Sequence, residues 1–216
     1  MKSYILIIFL LIFTGCSFKS AQQDMWRKDA ATSFDTYSNY YLKGETTLAS
    51  VALKSAISSA KSSADLTPLS KIYLGTCALH IAVLIDDSCL EYKAIKDMLK
   101  EENNSWDYYH MLQKNFDKIT IKNLPPQYAD FVTAMQKKDF KSAFYSIKKM
   151  SQTSSKLIAA SLMREHLNEK EIQNIIDVAS FHGYKKAVIR WLEFLKEKSS
   201  DVKKQKIQKM LDILTH

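Results

Sequence analysis

The stretch PLSKIYLGTCALHIAVLI, residues 68–85, decides the fold class. Apolar residues fall at spacings of one, three and four: Leu69, Ile72, Tyr73, Leu74, Ala78, Leu79, Ile81, Ala82, Val83 and Leu84. Strict alternation is missing, so the pattern is helical. Pro68 suits the first turn of such a helix. The apolar residues point to nearly every side, which predicts a central helix surrounded by others.

The same three-and-four periodicity extends in both directions. Residues 24–43 carry Trp26, Ala30, Phe34, Tyr37 and Tyr41 as an aromatic stripe. Gly44 breaks it, and residues 45–64 resume with Leu48, Val51, Ala52, Leu53 and Ala56. This predicts an αα-hairpin before the central helix. Asp86-Asp87-Ser88 should end the central helix and cap the next, over 89–102. Ser105 can cap a helix over 106–118. Further helices are expected over 127–138, 139–150, 154–166, 169–182, 184–198 and 201–214. Asn168 with Glu171 has the capping-box spacing. Four Gly and three Pro in 216 residues, with Leu, Ala, Lys, Met and Ile abundant, fit an all-α chain.

Net charge is +8, and it is uneven. Residues 17–119 hold 12 Lys and Arg against 13 Asp and Glu, whereas residues 120–216 hold 18 against 10. Pro125-Pro126 falls close to this shift. Two lobes are therefore expected, residues 24–122 and a basic 123–216 with a closing helix. Residues 1–15 read as a leader and 16–23 as a short polar tether. The leader, MKSYILIIFLLIFTG, has Lys2 and an apolar run of roughly ten residues. Roughly twenty are needed to span a bilayer.

Thr14-Gly15-Cys16 after that run resembles the bacterial lipoprotein signal, with Phe13 bulkier than the usual residue. The resemblance implies cleavage before Cys16 and covalent lipid on Cys16. Ser17, in place of Asp, implies the outer membrane, with the periplasmic face favoured over the cell surface. An extracytoplasmic address argues against nucleic acid as a target of the basic half. Anionic membrane, cell-wall polymer or an acidic protein surface fit better.

Three stretches repeat one pattern across a turn: Tyr40, Gly44-Glu45, Ala49, Leu53, Ala56; Ala134, Lys138-Asp139, Ala143, Ile147, Met150; and Gly183-Tyr184, Ala187, Trp191, Phe194. They resemble the turn-centred half of a tetratricopeptide unit. The resemblance implies antiparallel helical hairpins stacked as a solenoid or superhelix. Ala49, Ala143 and Ala187 would be the close-contact positions. The spacing of 44 between Ala143 and Ala187 departs from the 34-residue family period. A generic helical bundle is the alternative.

No catalytic or nucleotide-binding motif is present, and none of the five histidines forms a His-x3-His pair. The reading is non-enzymatic, with no cofactor and no metal site. His80 is expected to be a core imidazole bonded to a neighbour. Asp86, Asp87 and Glu91 form a small acidic group without calcium-loop spacing. If the central helix runs to Ile85, Cys77 lies some 13 Å back from the turn and cannot reach Cys89. Two buried thiols are then expected, and a disulfide would refute that turn placement. Trp106, Tyr109 and Phe116 should be core.

A stack of hairpins presents an extended surface to proteins. The expected role is a membrane-anchored scaffold for a protein partner in an envelope complex. Candidate contacts are Tyr37, Tyr41, Tyr108, Lys137, Lys138, Lys141, Lys185 and Arg190. The alternatives are a surface protein binding host or environmental molecules, and an enzyme or carrier acting on cell-wall glycan.

Overall fold

The computed structural model describes residues 18–99 and 105–215, and side chains from residue 25. Eleven α-helices occur among these residues: α1 (Phe18–Lys43), α2 (Thr46–Ala60), α3 (Thr67–Ala82), α4 (Leu90–Ile95), α5 (Ser105–Leu112), α6 (Ala129–Gln136), α7 (Phe140–Lys149), α8 (Thr153–Leu162), α9 (Glu169–Phe181), α10 (Lys185–Lys198) and α11 (Asp201–Thr215). Short 3-10 turns punctuate the middle, at Lys96–Met98, Phe116–Lys118, Ile121–Asn123 and Pro126–Tyr128. No strand is present among the described residues. The all-α expectation therefore holds.

The solenoid does not. α3 packs on α8, α5, α2 and α4, and α1 packs on α10 as well as on α2 and α3. In an open stack each hairpin touches its neighbours in sequence. Here the first helix closes on the tenth, and the third on the eighth. The result is a bundle wrapped around α3, and the tetratricopeptide-like arrangement is corrected accordingly. The physical reason stands in α3 itself. Leu69, Ile72, Leu74, Cys77, Ala78, Leu79, Ile81 and Ala82 are buried on all its sides. Such a helix must be largely surrounded, leaving only Lys71 exposed and a few residues such as Thr67, Tyr73 and His80 half-buried. One buried cluster runs from Tyr37 to Leu211 and crosses residue 122 without interruption. Trp191 of α10, fully buried, donates its indole N–H to the carbonyl of Ala82 at 3.1 Å.

Small residues set the close approaches. Ala49, Ala52, Ala56 and Ala60 form the buried face of α2. Ala143 and Ala187 are fully buried beside their turns. Gly75 lies under the ring of Phe34, where a Cβ would fall 2.3 Å from Cζ. A side chain there would require the Phe34 ring to move.

Five helices close by one device. Residues 44, 84, 114, 138 and 183 all have positive φ. Each donates its N–H three residues back, and the next residue donates five residues back, as in Gly183 to Ser180 and Tyr184 to Ala179. This is the Schellman closure. Glycine fills it at Gly44 and Gly183, but Leu84, Lys114 and Lys138 fill it elsewhere.

The closure at Leu84 changes the middle of the chain. α3 stops at Ala82, three residues earlier than expected. Residues 83–89 then fold back along the helix as a strap. Cys77 and Cys89 are disulfide-bonded, with Cα atoms 5.3 Å apart. The two free thiols are thus corrected to one crosslink. Asp87 does not cap α4. Its side chain accepts the N–H of Cys89 at 2.6 Å, inside the strap. The capping box of α9 forms as the spacing predicts, with Asn168 and Glu171 bonding each other's backbone N–H.

Two further expectations change. Val202 is 84% exposed and Met210 41%, so the buried face of α11 rests on Ile207 and Leu211. Trp106 is also exposed, stacked outside on Tyr109 with the Lys96 ammonium 4.9 Å from its ring. Helix α1 begins at Phe18, within the stretch read as a tether. The leader and Cys16 lie outside the described residues. Among the described residues, no helix is long and apolar enough to cross a membrane.

Candidate functional site

The strap 83–89 gathers the polar chemistry of the molecule. It leaves α3 at Leu84 and is fixed at Cys89 by the disulfide. Its two aspartates therefore point from a tethered backbone. Asp87 turns toward α3, where Oδ2 meets Nδ1 of His80. An imidazole bonded to a neighbour is thus found, but His80 is half-buried at the edge of α3 and not in the core. The His80 ring packs against Tyr41 at 5.4 Å between centroids. Above Tyr41 lies the ammonium of Lys186, 3.6 Å from the ring centroid. Arg190, one turn further along α10, donates to the Val83 carbonyl at 3.4 Å and to Glu193 at 2.7 Å. The ends of α1, α3 and α10 thus meet through a layer of aromatic and charged groups.

Burial tunes this layer. It pushes the Tyr37 phenol up to about 12, opposed by a bond from Thr76 and reinforced by Asp87. Tyr41 is raised for the same reason, with Tyr37 and Asp87 adding and Arg190 opposing. Burial lowers Lys186, and the neighbouring Arg190 charge lowers it further. Both phenols are neutral donors at ordinary pH.

Asp86 turns the other way, toward α8. Arg164 holds it with two bonds of 3.2 Å. These bonds draw the Asp86 carboxyl below its usual range. Between strap and α8 opens a cleft of about 400 Å3, lined by Asp86, Asp87, Ser88, Gln113, Lys114 and Arg164 among others. Gln113 donates to the Asp87 carbonyl at 3.0 Å and steadies the strap. The cleft can hold a small polar group, and its formal charges balance. Cys77, Asp87 and Cys89 place three potential metal donors within 4.8 Å. The two sulfurs are bonded to each other, so they are not thiolate ligands, and this set does not fit a metal.

The expected contact residues scatter. Tyr37 is 3% exposed, within the core between α1 and α3, and is corrected from contact to packing residue. Tyr41 is half-buried under Lys186. Tyr108 is half-buried against Tyr128, with ring centroids 5.7 Å apart. Lys185 is exposed and Arg190 half-buried at the same junction as Tyr41. Lys137, Lys138 and Lys141 are exposed around the α6–α7 turn. Phe140 in that turn stacks on His166, just before α9 begins. Lys185 follows the far end of α9, whose 13 residues span about 20 Å. The structure therefore builds two basic ends. The Asp86–Arg164 pair and Lys186 were missed because their partners lie far apart in sequence, where no local spacing reveals them.

No family model, curated protein or solved structure matches the chain. The resemblance to a lipoprotein with a tetratricopeptide-like body gains no support from these comparisons, and the packing around α3 overturns its repeat stack.

Proposed function

We propose that this chain is an extracytoplasmic binding protein, held at a membrane by lipid on Cys16, that grips an acidic partner protein and helps stabilise an envelope complex. The observation that carries the reading is Lys138. It occupies a left-handed position, φ 55, where the matching turns use Gly44 and Gly183. A left-handed non-glycine residue costs roughly 1–2 kcal/mol. Leu84, Cys89 and Lys114 are left-handed as well, so it is the exposed lysine cluster around this position that points to a contact. Lys138 stands with Lys137 and Lys141 in one exposed turn. Among the described residues none of the three forms an ion pair. Asp139 between them is occupied as the cap of α7, accepting from the Ser142 N–H at 3.0 Å.

The Cys77–Cys89 disulfide supports the compartment, because such crosslinks persist where the surroundings are oxidising. The periplasm is such a place.

Lys138→Gly separates binding from folding. The variant should melt at the native temperature or higher, because glycine relieves the turn. It should also lose partners captured by crosslinking in the native envelope. The triple change of Lys137, Lys138 and Lys141 to Glu should abolish capture. Undiminished capture in the triple variant would remove this turn from the function.

A further inference from the structure

The ion pair that joins the strap to α8 is lopsided. The Arg164 side chain is 19% exposed and that of Asp86 80%. The two bonds between them, both 3.2 Å, are longer than the ~2.8 Å of a tight charge-assisted pair. The remaining Arg164 bond runs from Nε to Glu165 at 3.3 Å. Because the Asp86 side chain stands in water, a change of rotamer can free Arg164 without moving the strap backbone. Lys114 bears on the same carboxylate. It is exposed in the wall of the cleft, and among the described residues it forms no ion pair. The Arg164 bonds draw the Asp86 carboxyl down against burial, and the Lys114 charge acts in the same direction. A second observation lies deeper. Ser161, three residues before Arg164 and in the wall of the same cleft, is fully buried, and its hydroxyl has no hydrogen-bond partner among the described residues. Buried hydroxyls are nearly always paired.

We infer that Asp86 occupies, within the chain itself, the seat of an incoming carboxylate, and that the cleft between strap and α8 takes an aspartate or glutamate side chain from an acidic peptide segment. The inference rests on the reading of the α6–α7 turn as the grip for an acidic partner, and adds a second contact to it. Arg164 selects the ligand. Its planar fork matches the two oxygens of a carboxylate, and such a group already stands against it. With Asp86 turned away, Arg164 and Lys114 face the cleft against Asp87 alone. The Asp87 carboxylate is already engaged by His80 and by the N–H of Cys89. A carboxylate seated on Arg164 also brings to this cleft the acceptor that Ser161 lacks.

The seat adjoins the lysine turn. Gln136, next to Lys137, donates to the carbonyls of Phe116 at 2.9 Å and Ile119 at 3.2 Å, just beyond Lys114 in the chain. Phe140, next to Lys141, stacks on His166, just beyond Arg164. The turn is thus tied on one side to the Lys114 segment and on the other to the Arg164 segment. An extended chain advances about 3.3 Å per residue, so six residues span about 20 Å. That length lets one segment lie on the turn and place a side chain in the cleft. Asp86 then acts as a competitor. It yields to a segment that the turn lysines already hold nearby, through effective concentration. The apparent affinity falls by the fraction of time that the seat is open, a factor of about five for an exposed pair.

The test titrates the full chain with a fluorescent hexaglutamate peptide, read by anisotropy, with hexaglutamine as the control. The native chain should bind the first and not the second. Asp86→Ala removes the resident carboxylate and should bind about fivefold tighter, a gain that misfolding cannot produce. Asp212→Ala makes the same charge change on α11 and should leave the affinity unchanged. Lys114→Gln, at an exposed position, should keep the native melt and weaken binding about threefold. Arg164→Gln should weaken it about tenfold and cancel the gain in the double variant with Asp86→Ala. No binding even by Asp86→Ala, no gain in that variant, or an equal gain from Asp212→Ala would overturn the inference and leave the pair as a clasp of strap to α8. The change of Lys137, Lys138 and Lys141 to Glu separates the two readings. If it abolishes binding while Asp86→Ala gains nothing, the turn contact stands and the seat falls. If binding persists with the Asp86 and Arg164 effects intact, the seat stands and the turn contact falls.

Discussion

Residues 129–198 and residues 83–128 are built on different principles. In the first region five helices follow one another through short turns, and each packs on its neighbour: α6 on α7, α7 on α8, α8 on α9, α9 on α10. Apolar residues at helical spacing do the work there, and Ala143, Ile147, Ile172, Ile175, Trp191 and Leu195 are almost fully buried. In the second region helices are short and the chain changes direction every few residues. Tyr92, Met111, Leu112 and Tyr128 anchor it in the core, and individual polar contacts hold the segments between them. Asp107, nearly buried, accepts from the Thr120 N–H and the Asn123 amide, both at 2.8 Å. Gln136 reaches from α6 to the carbonyls of Phe116 and Ile119. Gln113 and the disulfide fix the strap. Distributed apolar packing tolerates the loss of any one contact better than a chain of individual bonds does.

The largest break in that comparison should come from the disulfide. The Cys77→Ala, Cys89→Ala double variant opens a loop between residues 12 apart. Chain entropy assigns such a crosslink about 3 kcal/mol. Urea denaturation should show that loss. Hydrogen exchange should localise it, with amides of residues 83–99 exchanging faster while α9 and α10 keep their protection. A uniform rise in exchange over both regions would show that the strap and the helical stack unfold as one unit, against the contrast drawn between them.

The contrast also explains what the sequence could show. Period is a local property, so α2, α9 and α10 lie within a few residues of their expected bounds, and the Asn168–Glu171 box was legible from spacing alone. The fold-back at Leu84 was not. Leu84 is apolar and continues the helical pattern, yet it takes φ 60. What turns it is tertiary. The disulfide, the Asp87–His80 contact and Gln113 all hold the strap against α3, and none of these has a local signature. The same holds for α5, expected to reach Lys118 but ended at Leu112 by the left-handed Lys114. The solenoid reading failed at a comparable point. Short turns with alanines predict hairpins correctly, but which hairpins touch is decided by faces distant in sequence. The all-round apolarity of α3 carried that information, and it pointed to a bundle. For the candidate site, a bonded His80 and the exposed lysines of the α6–α7 turn could be anticipated, whereas Asp87 as the His80 partner, Asp86–Arg164 and Tyr41–Lys186 required the fold.

Ala143→Leu sharpens the comparison from the regular side. Ala143 is fully buried where α7 begins against α6. The added side chain has no space and should cost about 1–3 kcal/mol through overpacking. Because neighbouring hairpins share the strain, the loss should appear as a lower urea midpoint with the cooperativity of the transition unchanged. An unaltered midpoint would place Ala143 at a yielding surface and would undo the close-contact reading of the three turns.

The smallest effect belongs to the irregular region and depends on pH. His110 is 7% exposed, with Trp106 edge-on at 4.6 Å. Among the described residues its buried Nδ1 has no hydrogen-bond partner. Burial lowers its pKa, the charges of Lys118 and Lys96 lower it further, and Asp107 opposes them. The folded protein therefore favours the neutral imidazole, while the unfolded chain takes up a proton near pH 6.5. The unfolded state then binds more protons, so stability rises with pH across this window. The contribution is complete above about pH 6.5 and is lost as pH falls through the lower folded value. His110→Phe keeps the ring and removes the proton site. Between pH 7 and pH 5 the native chain should lose stability relative to this variant, with most of the change localised by hydrogen exchange to residues 105–123. If the two proteins lose stability in parallel, His110 is already satisfied in solution, and the irregular region does not carry the unpaired polar atom that the comparison assigns to it.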